Sequence, residues 1–136
     1  MHKQIFVNLP VADLKRSVEF FEKLGYAFNP DFTDEKATCM IVGENIYAML
    51  LVHDFFEGFI DKPLCDATQA TEVLVALSCE SRAEVDALVA KALDAGGKAP
   101  RPAQDLGFMY SQAFEDLDGH IWELVYMEPG AVPAQE

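Results

Sequence analysis

Residues 116–124 read Asp116-Leu117-Asp118-Gly119-His120-Ile121-Trp122-Glu123-Leu124. Polar and glycine punctuation gives way at Gly119 to an apolar run, which predicts a strand over residues 120–127. The same punctuation occurs earlier as Gly43-Glu44-Asn45 ahead of Ile46, and Glu44-Asn45-Ile46 falls on Asp118-Gly119-His120 when one half of the chain is laid on the other. In that alignment Ile5, Val7, Leu9 and Asp13 fall on Val73, Val75, Leu77 and Ser81. The chain is a diverged internal duplication.

Outward from the turn, each half reads strand, helix, then three strands. In the first half residues 4–9 are strand-like, and Asp13 caps a helix whose apolar stripe is Leu14, Val18, Phe21 and Leu24, ended by Gly25. Strands over residues 26–30, 37–42 and 46–53 follow. In the second half a strand over 72–78 precedes the capping box Ser81-Arg82-Ala83-Glu84, which opens a helix with Val85, Leu88, Val89, Ala92 and Leu93, closed by Gly96-Gly97. Strands over residues 98–101, 108–114 and 120–127 complete it.

Residues 54–70 form a linker that holds Phe55, Phe56, Phe59, Ile60 and Pro63, and a Pro/Gly/Ala tail from Pro129 should fray. The linker's aromatic residues read equally as a lid, a contact with a second subunit, or packing on the protein's own core. The expected architecture is α+β: two tandem βαβββ modules whose curved mixed sheets, backed by helices, form a cleft. We expect one domain over residues 1–136, with module 1 at about 1–53, module 2 at about 71–128 and the tail at 129–136.

Composition bounds the function. With 136 residues, 51% of them hydrophobic, the chain can bury a core without metal or disulfide staples. Ten Lys and Arg against 23 Asp and Glu give a formal net charge of -13, which excludes nucleic-acid and anionic-membrane partners. No signal segment opens the chain and no apolar run approaches the ~20 residues of a membrane span, so a cytoplasmic protein is expected. Cys39, Cys65 and Cys79 are too few and too far apart for a disulfide framework or a metal clip. Phosphate-binding loops, nucleophile elbows and His-Glu-x-x-His helices are missing from the sequence.

The helix start Val11-Ala12-Asp13-Leu14, the helix exit Phe20-Phe21-Glu22-Lys23-Leu24-Gly25 and the 116–124 ending together resemble the vicinal-oxygen-chelate superfamily of glyoxalase I, bleomycin-resistance proteins and extradiol dioxygenases. In that superfamily the final turn is usually Asp-Pro-Asp-Gly; here Leu117 replaces the proline. The resemblance implies that the Glu four residues after the glycine, Glu123, stands at a metal-ligand position, with three more positions on the first and last strands of the modules. Those positions read Phe6, Met49 and Leu74. One carboxylate among three apolar side chains does not make a divalent-metal site. A register slip that keeps side chains on the same face would bring Asn8, His53 or Glu72 into play.

Glu123 is the candidate catalytic residue, a carboxylate on an otherwise apolar strand that would suit a general base. The competing reading gives it a purely structural partner, a neighbouring strand or an internal Lys or Arg. Phe6, Asn8, Met49, His53, Glu72 and Leu74 are the candidate ligand-binding residues. His120 and Trp122 have the opposite parity to Glu123 and are assigned no role, nor is His2 at the terminus. Two functions follow. The first is a homodimeric small-molecule binder without a cofactor, as in drug-sequestering members of the superfamily. The second is a lyase, isomerase or dioxygenase that holds Zn, Ni, Mn or Fe with Glu123 and shifted ligands such as His53 and Glu72.

Overall fold

The structure is a computed structural model and describes residues 1–130. Residues 131–136, most of the expected tail, lie outside the described residues. The chain divides into two compact units, residues 1–66 and residues 67 onward.

The first unit runs β1 (Ile5–Val11), α1 (Leu14–Leu24), β2 (Ala27–Asn29), a 3-10 turn (Pro30–Phe32), β3 (Ala37–Gly43), β4 (Ile46–Val52) and α2 (His53–Glu57). The second runs β5 (Leu74–Ser78), α3 (Arg82–Asp94), β6 (Gln104–Asp105), β7 (Met109–Glu115) and β8 (Ile121–Met127). The sheet orders, β1-β4-β3-β2 and β5-β8-β7-β6, are the same order repeated. In each, the first strand pairs in parallel with the last and the remaining pairs are antiparallel. The duplication legible in the sequence is therefore a duplication of topology.

Local chemistry sets the helix ends. The Asp13 carboxylate accepts the Arg16 N–H at 3.1 Å, which satisfies one of the donors that every helix start leaves open. Ser81 does the same for the Glu84 N–H at 3.0 Å, while the Glu84 carboxylate reaches back to the Glu80 N–H at 2.8 Å. The two modules also share a backbone requirement at their last turn. Asn45 has φ 63° and its counterpart Gly119 has φ 88°, so both copies need a residue that tolerates the left-handed region.

The expectation of curved sheets forming a cleft is corrected. The strands form two separate four-stranded sheets, each open with an edge strand at either end, and neither is curved or closed. Bulges bend a strand, and among the described residues the ladders hold one irregularity, between Ile41 and Gly43. The pairing of β7 with β8 runs without a shift from Met109–Met127 to Glu115–Ile121.

Three expected elements also differ in detail. Residues 98–101 contribute a single bridge between Lys98 and Glu115 rather than a strand, and the edge strand is β6. Pro100 and Pro102 remove the donors that a ladder there would need. The strand expected to end at His53 stops one residue earlier, and His53 opens α2, which runs into the expected linker. The strand expected from residue 72 begins at Leu74.

The second unit's core lies between α3 and one face of its sheet. Trp122, Leu124 and Phe114 are fully buried with Val85, Val89 and Ala92 of α3, and the rings of Phe114 and Trp122 stack with centroids 6.4 Å apart. On the same face Tyr110 and Gln112 both donate to Asp86 of α3, at 2.5 and 2.6 Å. The turn before β8 is organised by Asp116, which is buried. Its carboxylate accepts the Asp118 and His120 N–H groups at 2.9 and 3.0 Å and the Trp122 indole N–H at 3.0 Å. Leu117, in place of the usual proline, lies against the C-terminal end of α3 at Gly96.

Cys39 and Cys79 are buried, and burial pushes the Cys79 thiol up to about 11, whereas Cys65 is exposed. Only the thiolate reacts readily. Labelling of the native protein with an aromatic disulfide reagent should therefore show one fast thiol, removed by Cys65→Ser, and two that react only on unfolding. Among the described residues no helix is long and apolar enough to cross a membrane.

Candidate functional site

Strand parity divides each sheet into two faces. In the second unit Trp122 and Leu124 face α3, so Glu123 points from the opposite face. Its register partners are Ala113 on β7 and Ala76 on β5, two short side chains flanking one carboxylate. Ser111, opposite Val125, shares that face and is buried.

Arg101 reaches this face from the segment between α3 and β6. Its Nη2 donates to Ser111 Oγ at 2.8 Å and to Glu123 Oε2 at 3.2 Å, and its Nη1 donates to the Pro102 carbonyl at 3.2 Å. The flanking Pro100 and Pro102 restrict the backbone that carries it. The guanidinium is 32% exposed and the carboxylate 24%. An ion pair this accessible contributes on the order of 0–1 kcal/mol to folding. Its value lies in what it presents.

Leu74 is on the same face as Glu123 and is 52% exposed. Glu72 is exposed and precedes β5. In the first unit Phe6 pairs with Tyr47 and Asn8 with Met49 across β1 and β4, which puts all four on one face. The Phe6 and Tyr47 rings stack at 5.0 Å, and Phe6 is 50% exposed. His53 is exposed at the start of α2. The structure thus groups Phe6, Asn8 and Met49 on one sheet and Leu74 with Glu123 on the other.

Sequence reasoning missed Arg101 and Ser111 as site residues. Ser111 carries a signal, a hydroxyl that alternation puts on the same strand face as Ala113. Arg101 carries none, because its contact with Glu123 spans 22 residues and depends on the path of the Pro-flanked segment.

The donor set does not fit a divalent metal. Among the described residues no three His, Cys, Asp or Glu side chains are grouped so that they could hold one. The single carboxylate at a ligand position already faces a fixed positive charge, which would repel an incoming cation.

A family profile described as bleomycin resistance protein-like N-terminal matches residues 3–43. The fold matches a hypothetical protein from S. aureus with a TM-score of 0.79 and 28% identity, over 93% of this chain and 94% of that one. The chain has the fold of the glyoxalase/bleomycin-resistance/dioxygenase proteins. Its fold is shared with a superfamily protein from Nocardioides, at TM-score 0.73 and 22% identity over 100% of this chain and 90% of that one. It is shared also with the fosfomycin resistance protein FosX from Mesorhizobium loti, at TM-score 0.69 and 15% identity over 95% of each chain. No curated protein matches the chain. Among its described residues the chain lacks an intact metal-binding cluster.

Proposed function

We propose that this chain is a superfamily member that binds a small molecule without a metal. The observation that carries the reading is the pairing of Glu123, the one superfamily ligand position that keeps a carboxylate, with Arg101. Leu74, on the same sheet face as Glu123, offers apolar surface, which suits a ligand body that is largely hydrocarbon. A net charge of -13 disfavours anionic ligands. The exposed aromatic and aliphatic side chains of Phe6, Phe59 and Leu74 support the accompanying proposal of a homodimer.

Elemental analysis of the purified, untagged protein dialysed against Zn, Ni, Mn and Fe in turn tests the reading. Wild type and Glu123→Gln should both retain far less than one metal per chain. Near-stoichiometric metal that disappears in Glu123→Gln would overturn the proposal and favour a metal-dependent lyase, isomerase or dioxygenase.

A further inference from the structure

We infer that Arg101 and Glu123 act together as a ligand anchor for a neutral group that carries a hydrogen-bond donor and acceptor side by side, of which a primary carboxamide is the simplest case. This inference rests on the small-molecule reading above and names the class of ligand.

Three observations carry it. First, the pair is only half used. Glu123 engages Arg101 through Oε2, and among the described residues its Oε1 and the Arg101 Nε have no hydrogen-bond partner. One ion pair therefore offers both a free acceptor and a free N–H donor. A planar group that gives an N–H to the carboxylate and takes an N–H from the guanidinium satisfies both.

Second, the pair is fixed before any ligand arrives. Buried Ser111 and the Pro102 carbonyl hold the two terminal nitrogens of the guanidinium, and prolines on either side restrict its backbone. Little ordering entropy remains to be lost on binding.

Third, charge selects against ions. One positive and one negative group sum to zero, so an anion meets Glu123 and the acidic chain, and a cation meets Arg101. A neutral group meets neither penalty. Ala76 and Ala113 flank the carboxylate, and Leu74, Ile121 and Val125 lie on the same face, so the rest of the ligand would be apolar.

Three flat probes of one shape test this: benzamide, benzoate and benzamidinium, titrated into the isotopically labelled full-length protein and followed by backbone amide shifts. Benzamide should shift Ser111, Glu123 and Val125 saturably, and the two ions should bind there roughly tenfold more weakly or less, the loss of about one charge-assisted hydrogen bond. Glu123→Gln and Arg101→Met should each weaken benzamide by roughly tenfold while the dispersion of the spectrum stays that of the folded wild type. Benzoate or benzamidinium binding at these residues as tightly as benzamide would overturn the carboxamide class and leave the metal-free binding reading standing. Failure of all three probes to shift these residues, or benzamide shifts that survive both substitutions, would overturn the anchor itself. Stoichiometric metal in the same samples would instead overturn the reading beneath it.

Discussion

Gly119→Ala should destabilise the protein by at least about 3 kcal/mol, seen as a fall in Tm on the order of 10 °C. Two costs add. The residue sits at φ 88°, where an L side chain is strained by about 1–2 kcal/mol. A Cβ there would also stand 2.6 Å from the Ala67 carbonyl oxygen and 2.8 Å from the Thr68 nitrogen. Both neighbours are backbone, so relief requires moving the chain rather than rotating a side chain. Gly107→Ala separates the two terms. Gly107 has φ 83° and nothing within 4 Å of the added carbon, so it should cost only the conformational part. Equal losses for the two variants in thermal and denaturant unfolding would show that the segment at residues 67–68 yields freely and that the close approach carries no energy.

Trp122→Ala should cost about 3–5 kcal/mol, the usual loss for an aromatic residue removed from a packed core. Trp122 is 1% exposed, stacks on Phe114 and donates its indole N–H to the buried Asp116 carboxylate. Trp122→Phe keeps a ring over Phe114 and removes the donor with part of the indole's volume, the donor contributing about 1–3 kcal/mol. The pH dependence of that smaller loss identifies its origin. Burial pushes the Asp116 carboxyl above its ordinary 3.8, against the opposing pull of His120 and the Trp122 N–H. A raised folded value means that protonation adds stability below 3.8, and that this increment is lost as pH rises through the folded value. Removing the indole donor raises the folded value further, so the deficit of Trp122→Phe should be largest at neutral pH and shrink on acidification. A deficit independent of pH in denaturant titrations would assign the loss to packing alone.

The repeat, the helix caps and the order of elements were legible because each rests on local chemistry: Asp13 and Ser81 as caps, Gly25 as a stop, Asn45 and Gly119 at matching turns. The parity of β8 was legible too, since alternation alone puts Trp122 and Glu123 on opposite faces. What the residues did not disclose is non-local. Pro100 and Pro102 gave notice against a strand at residues 98–101, yet only the folded path shows that the segment delivers Arg101 to Glu123. Sheet curvature depends on bulges and on how strands end, and neither has a signature in hydrophobic pattern. The four ligand positions, read as Phe6, Met49, Leu74 and Glu123, fall on sheet faces by parity; the partner of Glu123 had to be seen.

A metal held by side chains comes and goes with supply, is stripped by chelators, and can be exchanged for another ion. The charge beside Glu123 is joined to the chain by covalent bonds. Every copy therefore leaves synthesis already loaded, indifferent to metal starvation or excess. The same permanence withholds open coordination positions and changes of oxidation state, so this face presents a charge of constant sign.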